Sequence, residues 1–435
     1  MHITKYLFIY PISKTRFYML HTLLGSIDII ESTEYDIIEK WKNCTSIIPE
    51  TALEKKLYQN LITRKYILTH SDEIKLIKQT KKLATSTKKI FPIVTFILTY
   101  DCNFKCPYCF EKERVDNTSI MTTSMVDQIF NIHKNKINNI CFYGGEPFLP
   151  KNMDIINYII SKSPHATYSA ISNGYYLDEY LEILKKIHIE FIQITLDGSK
   201  DYHNMSRILH NGNGTYDKIM KNIDLCLNLH IPIKIRMNIS EKNIESCLSL
   251  REQLSKKYSS YPLMFELQPI FQYNTKTRNL LEKKIYQSDL KENSLLNDNY
   301  FTYNTIVNTY LPIQYYFSTM ASTFYPITNN CDAETQRVCY DIYGLYYTCL
   351  VSVGDKTAAC GTYYPEYSFN AKSIADRSIY NIPECSECTL AFICGGGCGY
   401  QVMDSVGNSC HPNCHNVHHI LTEIIPKSIL KKFNV

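Results

Sequence analysis

The chain has 435 residues, a formal net charge of +4, 45% hydrophobic residues and 20% charged residues. This length predicts two or three domains, and the composition excludes a wholly disordered chain. The small positive charge gives no indication of nucleic-acid binding, and no apolar run approaches the ~18 residues of a membrane span. We expect a reducing, cytoplasmic setting, because the 17 cysteines come without a secretory signal and intracellular chains rarely form structural disulfides.

Residues 1–85 predict a small α+β unit. Its predicted elements are two hairpin strands at Tyr6–Tyr10 and Phe17–His21, an apolar stretch at 27–30, helices capped by Thr33 and by Thr51 with Glu54, and a short strand at Lys65–Thr69. The order resembles the winged-helix units of peptide maturases, in which a leader peptide adds a strand to an exposed sheet edge. A DNA-binding winged helix and a purely structural cap are the alternatives. The lysine-rich stretch that follows predicts a solvated linker helix.

From residue 91 to residue 272, strands and helices alternate. The predicted strands are Ile93–Tyr100, Asn139–Tyr143, Thr167–Ser172, Phe191–Leu196, Pro232–Asn238 and Leu263–Pro269. The predicted helices are Thr123–Asn135, Met153–Ile160, Leu177–Ile187, Tyr216–Leu229 and Asn243–Lys257. Six β/α units without room for eight predict an α/β fold with a partial (β/α)6 parallel barrel, whose chemistry gathers at the C-terminal ends of the strands.

Cys102, Cys106 and Cys109 follow the first of these strands directly. Three thiolates can hold three irons of a 4Fe–4S cluster and leave the fourth iron open. Zinc and a redox dithiol are the alternatives, although zinc sites usually use paired C-x2-C motifs. The C-x3-C-x2-C spacing with Tyr108 before the last cysteine resembles the radical S-adenosylmethionine (SAM) superfamily. That resemblance implies that the amino and carboxylate groups of SAM chelate the open iron.

Further polar motifs end the next strands. Gly144-Gly145-Glu146-Pro147 resembles the motif with which the family contacts the amino group of SAM, and Asn173 and Asn238 are candidates for its carboxylate or ribose. A plain turn is the alternative for Asn173-Gly174. We expect Asp197, His203 and Arg207 to form a hydrogen-bond network that orders a loop, and a direct contact with the ligand is the alternative. No catalytic acid or base is identified.

Residues 273–330 carry no metal motif and predict a bridging segment. Residues 331–435 contain ten cysteines, among them Cys385-x2-Cys388-x5-Cys394-x3-Cys398, and resemble the SPASM extension with two auxiliary 4Fe–4S clusters. The resemblance implies one ligand set of Cys331, Cys339, Cys349 and Cys398, and another of Cys385, Cys388, Cys394 and Cys414. Cys410 is the alternative to Cys414, and Cys360 is either a free thiol or a replacement for Cys339. Zinc ribbons are the alternative for the whole tail.

These resemblances imply an enzyme that cleaves SAM reductively to a 5′-deoxyadenosyl radical and oxidises a ribosomally made precursor peptide, by thioether or carbon–carbon cross-linking. The leader would bind residues 1–85, and a flavodoxin or ferredoxin would supply electrons. We expect neither nucleic acid nor membrane as a partner. One alternative is a formylglycine-forming sulfatase maturase. Another is a non-catalytic electron carrier or peptide scaffold, which would have no use for a SAM site.

Overall fold

The computed structural model describes residues 1–86, 93–109, 111, 119–270, 277, 280–281, 284–285, 324, 326–331, 333, 337–370, 374, 377–414, 417–419, 421–422 and 426. The chain divides into two compact units. The first contains residues 1–89, 308–331 and 377–435, and the second contains residues 90–307 and 332–376. The predicted division into four consecutive segments stays a prediction. Most of the bridging segment lies outside the described residues.

The first unit begins with short strands and helices. They are β1 (His2–Ile3), β2 (Leu7–Pro11), β3 (Arg16–His21), β4 (Ile27–Glu31), α1 (Ser32–Lys42), α2 (Ala52–Thr63), β5 (Ile67–Leu68) and α3 (His70–Ser86). The predicted hairpin is confirmed in β2 and β3, and the capping box of Thr51 is confirmed at α2. The prediction of Thr33 as a cap is wrong, because β4 runs directly into α1 and Glu31 caps it in a box with Glu34.

Two sheets organise this unit. β2, β3 and β4 form an antiparallel sheet in that order, and β1 pairs with β5 over two residues. Trp41 and Ile38 of α1 pack with Leu57 of α2 in one apolar core. A second core joins Tyr6 to Phe392, so residues of the tail are part of this unit. The resemblance to a winged helix stays a prediction.

The second unit alternates strands and helices. Its elements are β6 (Ile93–Ile97), α4 (Thr123–Ile132), β7 (Asn139–Tyr143), α5 (Met153–Lys162), β8 (Thr167–Ser172), α6 (Leu177–Leu184), β9 (His188–Thr195), α7 (Lys200–Ser206), α8 (Tyr216–Asn228), β10 (Ile233–Ile239), α9 (Ile244–Lys257), β11 (Leu263–Pro269), β12 (Arg337–Tyr340), β13 (Leu345–Tyr347) and β14 (Gly361–Thr362). All six predicted strands and all five predicted helices are present.

The strands form one nine-stranded sheet in the order β11-β10-β9-β8-β7-β6-β12-β13-β14. The six predicted strands are parallel neighbours in chain order, as expected for β/α units. β12 adds a seventh parallel strand beside β6, with Cys339 opposite Thr95. β13 and β14 continue the sheet as antiparallel strands. The C-terminal ends of seven parallel strands therefore lie along one edge, where the polar motifs occur.

Candidate functional site

The loop that carries Cys102, Cys106 and Cys109 follows β6 and is held by residues 208–210. Phe104 forms a bridge with Leu209, and the backbone N–H of Lys105 donates to the carbonyl of Ile208 at 2.8 Å. The imidazole of His210 lies 2.9 Å from the carbonyl oxygen of Cys102. The segment after α7 thus supports the cysteine loop, and all three thiols lie on one short stretch of ordered backbone.

Gly144 and Gly145 bring the end of β7 against the backbone that precedes Cys102. A Cβ atom at Gly144 would lie 2.2 Å from the carbonyl oxygen of Thr99, and one at Gly145 would lie 2.4 Å from that of Asp101. The N–H of Gly145 donates to Thr99 O at 2.9 Å. Only glycine permits this approach, and Gly144 also has a φ of 125°. The two glycines therefore form a cradle beside the cysteine loop.

The side chain of Glu146 is fully buried in the protein interior. One carboxylate oxygen accepts hydrogen bonds from the N–H of Phe148 (2.9 Å) and the hydroxyl of Ser172 (2.8 Å), and the other accepts one from the N–H of Asn173 (2.6 Å). Burial raises the pKa of Glu146 to about 6, although these donors favour the ionised form. Glu146 thus ties the loop after β7 to the loop after β8.

Asn173 lies beside the first cysteine. Its side-chain amide donates to Asn103 Oδ1 at 2.7 Å and lies 3.8 Å from Cys102 Sγ, while its Oδ1 accepts the N–H of Tyr175 at 2.9 Å. The structure therefore brings Asn173 to the cysteine loop. The turn expected as its alternative role is also present, because the bond to Tyr175 spans two residues. A contact with SAM stays a prediction.

Tyr108 connects the cysteine loop to the ends of β9 and β10. Its hydroxyl donates to Asp197 Oδ2, accepts from Arg207 Nη1 at 3.0 Å and lies 3.4 Å from Asn238 Nδ2. Asp197 Oδ1 also accepts the N–H of Asn238 at 3.2 Å. The four side chains make one network around the residue between Cys106 and Cys109. In the sequence Tyr108 is recognisable only as an aromatic residue beside a cysteine, and this role was not predicted.

His203 is buried in the loop network expected with Asp197 and Arg207. Its Nδ1 accepts the N–H of Asp197 at 3.4 Å, and its Nε2 lies 3.0 Å from the hydroxyl of Thr215. Burial lowers the pKa of His203 to about 3, so the ring is neutral near pH 7. The Thr215 hydroxyl donates to the carbonyl of Arg207 at 2.6 Å. The expected ordering network is present.

Two polar groups beside the cysteines remain without an acceptor within the described part of the chain. They are the Nε of Arg207, a residue that is 8% exposed, and the amide nitrogen of Asn103. Burial raises the pKa values of Cys102 and Cys106, so their thiolates need cations. Three thiols, a glycine cradle and unused N–H donors fit an iron cluster and a ligand with a carboxylate.

Four tail cysteines of the first unit are close enough for their charges to interact. Burial, together with the nearby charges of Cys388 and Cys414, raises the pKa of Cys385 to about 12 and that of Cys394 to about 11. This donor set fits a metal cluster, since thiolates that repel one another are stabilised by cations. Cys410 and Cys414 are both exposed, but only Cys414 is among the charges that act on Cys385 and Cys394. The geometry favours Cys414 over Cys410.

The other predicted ligand set is divided between the units. Cys331 and Cys398 belong to the first unit, whereas Cys339 and Cys349 belong to the second. Within the second unit, the charges of Cys339 and Cys349 interact, and Cys339 is fully buried on β12. Cys360 is 1% exposed, with its Sγ 4.0 Å from the Thr348 hydroxyl. This ligand set stays a prediction.

The contacts among charged residues of β10 and β11 were not predicted from the sequence. Arg236 Nη1 lies 3.2 Å from Glu266 Oε1, and Arg236 Nε donates to Asn238 Oδ1 at 3.2 Å. Lys234, Arg236 and Asn238 alternate with fully buried Ile233, Ile235 and Met237. This alternation in the sequence could have predicted that the three polar side chains share one face of the strand, because residues two apart on a strand share a face.

The model of the Radical SAM superfamily matches residues 96–250. GTP 3′,8-cyclase of Clostridium botulinum (strain Hall) is 29% identical over 181 residues, which are 40% of this chain and 55% of the cyclase. The chain therefore spans about half the length of the first curated relatives that it matches. The cysteine-type anaerobic sulfatase-maturating enzyme of Clostridium novyi (strain NT) is 23% identical over 339 residues, or 72% of this chain and 89% of that enzyme.

Two solved structures share the fold. Streptococcus suis SuiB bound to precursor peptide SuiA has a TM-score of 0.52 at 15% identity and covers 94% of this chain and 98% of its own. The protein anSMEcpe bound to AdoMet and the Cp18Cys peptide has a TM-score of 0.56 at 18% identity, and the match covers 79% of this chain and 99% of anSMEcpe. The predicted α/β radical SAM fold with its parallel sheet is confirmed. The relatives are named as enzymes, which supports a SAM-dependent iron–sulfur enzyme. No described helix has the length and hydropathy needed to cross a membrane.

Proposed function

We propose that this chain is a radical SAM maturase that oxidatively cross-links a ribosomally made precursor peptide, through a thioether or a carbon–carbon bond. The observation that carries the proposal is the likeness to SuiB, a protein solved with a precursor peptide, over 94% of this chain. That share must include most of residues 1–85. The likeness to anSMEcpe covers 79%, which leaves about a fifth of the chain without a counterpart.

The residues at the C-terminal edge of the sheet would hold the cofactors. Cys102, Cys106 and Cys109 would ligate one 4Fe–4S cluster, and the unused N–H groups of Arg207 and Asn103 would bind the carboxylate of SAM. When bound, the cluster and SAM together supply a 5′-deoxyadenosyl radical by one-electron cleavage of SAM. Gly144 and Gly145 would let backbone approach the amino group of SAM. Asn173 and Asn238 would position these groups through their contacts with Asn103 and Tyr108.

Each cross-link removes two hydrogen atoms from the peptide, which amount to two protons and two electrons. One hydrogen atom is transferred to the 5′-deoxyadenosyl radical. The second hydrogen leaves as a proton, and its electron passes to an acceptor. We propose that the ligand sets Cys331, Cys339, Cys349, Cys398 and Cys385, Cys388, Cys394, Cys414 hold two auxiliary clusters for this electron. A flavodoxin or ferredoxin would complete the electron path. The unit built from residues 1–85 would bind the leader through a sheet edge.

The test is the mass of a candidate precursor peptide. The anaerobically reconstituted enzyme receives SAM, a reductant and the peptide encoded by the nearest short reading frame. Loss of two hydrogens per event, located by fragmentation, is the expected result. A Cys102→Ala variant is the matched control, because it removes the core cluster and should leave the mass unchanged. Deoxyadenosine formation without any change in the peptide would refute this substrate.

A sulfatase maturase is the second candidate, favoured by the 339-residue match to the Clostridium novyi enzyme. It would convert a cysteine or serine of a sulfatase peptide to formylglycine. The same assay with a cysteine-containing sulfatase peptide separates the two candidates. Replacement of the cysteine sulfur by a carbonyl oxygen would favour the sulfatase maturase, whereas an unchanged sulfatase peptide beside a cross-linked precursor would exclude it.

A further inference from the structure

Three side chains of types that bind metals lie close together in the first unit, outside the cysteine motifs. His2 lies on β1, and His70 and Glu73 lie in the first turn of α3. One ligand atom of each lies within 4.8 Å of those of the other two. His2 Nε2 is 3.2 Å from Glu73 Oε2, and the two imidazole centroids are 6.2 Å apart. Two elements far apart in sequence thus place two nitrogens and a carboxylate oxygen around one point.

The carboxylate of Glu73 is held in position by its other oxygen. Glu73 is 6% exposed, and its Oε1 accepts hydrogen bonds from the hydroxyl of Thr4 (2.5 Å) and the N–H of Lys5 (3.3 Å). Oε2 faces His2. Among the described residues, no lysine or arginine side chain forms an ion pair with Glu73. The ion-pair partner of Glu73 among the described residues is the imidazole of His2, which carries a charge only when it is protonated. A bound divalent cation would compensate the charge of this buried carboxylate while both imidazoles are neutral.

We propose that His2, His70 and Glu73 form a binding site for a divalent cation, with Zn²⁺ as its ligand. Two imidazoles and one carboxylate suit zinc, whereas Mg²⁺ and Ca²⁺ prefer oxygen ligands throughout. The N-terminal end of α3 disfavours a cation, but the carboxylates of Asp72 and Glu73 in the same turn offset this effect. The site is independent of the proposed peptide chemistry.

The cation would hold the start of the chain to α3. β1 pairs with β5 through only two residue pairs, His2 with Leu68 and Ile3 with Ile67. Ile3 packs against the core that contains Trp41, so fixing β1 should stabilise this core. A ligand that binds only the folded state raises its stability by mass action. Zinc should therefore protect the first unit from unfolding.

Metal content tests the site directly. The full chain is reconstituted anaerobically, so that clusters occupy the cysteines, freed of loosely bound metal and dialysed against limiting Zn²⁺. His70→Gln should bind one equivalent less zinc than the wild type. The matched control is His165→Gln, an exposed histidine in the second unit, which should bind as much as the wild type. Equal zinc contents for the wild type and His70→Gln would overturn the proposal.

The fluorescence of Trp41 supplies a second readout. Trp41 is the single tryptophan of the chain and is buried in the first unit, so its signal reports the unfolding of this unit. Zinc should raise the denaturation midpoint in the wild type and in His165→Gln, and it should leave His70→Gln unchanged. His70 is exposed, so its replacement removes a ligand without disturbing the core. An equal rise in His70→Gln would mean that zinc acts elsewhere.

Discussion

Replacement of Glu146 by glutamine tests whether this buried carboxylate connects the ends of β7 and β8. The variant keeps the size of the side chain and replaces one oxygen with an NH2 group. Its single oxygen can serve the N–H of Phe148 and the hydroxyl of Ser172, or the N–H of Asn173, but not all three. We expect a buried donor to lose its acceptor in either orientation.

The expected loss of stability follows from that donor. A buried N–H without an acceptor costs about 1–3 kcal/mol. In a unit of this size, about 2 kcal/mol corresponds to a fall of roughly 4–8 °C in Tm. Scanning calorimetry is the appropriate measurement, because Trp41 lies in the other unit. Glu182→Gln is the matched control, since Glu182 on α6 is exposed and pairs only with Lys185, the residue after α6, among the contacts of the described residues. This substitution should cost under about 0.5 kcal/mol.

Catalysis should suffer more than stability. Glu146 holds the backbone of Asn173, whose amide lies beside Asn103 and Cys102. Loss of a residue that orients ligand-bearing groups typically costs about 10–100-fold in activity. We therefore expect the rate of deoxyadenosine formation to fall by that factor while the iron content is kept. If Glu146→Gln equals Glu182→Gln in both Tm and rate, the proposed role of Glu146 is wrong.

Three further predictions concern pH, the tail and α2. Burial raises the pKa of Glu146 to about 6, so this carboxyl group ionises at a lower pH in the unfolded chain than in the folded protein. As the pH rises from about 4.5 to about 6, the free energy of unfolding of the wild type, measured in urea, should therefore fall by about 2 kcal/mol relative to that of Glu146→Gln. A difference between the two that does not change with pH would contradict this prediction. Cys414→Ser should lower the iron content by about four atoms per chain and Cys410→Ser should not, whereas the reverse result would make Cys410 the ligand. Thr51→Ala removes the acceptor for the N–H of Glu54 and should destabilise the first unit by about 1 kcal/mol in Trp41 fluorescence; an equal effect of the exposed Thr63→Ala would argue against capping.

Most of the parallel strands could be predicted because they are short runs rich in apolar residues between polar segments, whereas β10 alternates polar and buried apolar residues. Three of the six match the structure residue for residue: β7, β8 and β11. Strands buried on both faces keep this pattern whatever their neighbours are, so local sequence is sufficient. The boundaries of β6 and β9 were less accurate: β6 is followed by further apolar residues, whereas β9 begins with the polar residues His188 and Glu190 ahead of its apolar run.

β12 and α7 could not be predicted from local sequence. β12 is only the four residues Arg337–Tyr340, and it becomes a strand by pairing with β6, more than two hundred residues earlier in the chain. α7 has the sequence KDYHNMS, which has no apolar helical period. His203 is its buried side chain, and the bonds to Asp197 and Thr215 that favour this burial join other elements.

The same limit applies to the candidate site. The spacing of Cys102, Cys106 and Cys109 predicts three cluster ligands, because one loop supplies all three. Tyr108 stands in that loop, but its partners Asp197 and Asn238 are 89 and 130 residues away. Its hydroxyl joins the cysteine loop to two strand ends, so a phenylalanine there would keep the local pattern and lose the connection. A local motif can therefore predict the candidate metal ligands, while the residues that hold the cysteine loop in place are identified only when the structure brings the strand ends together.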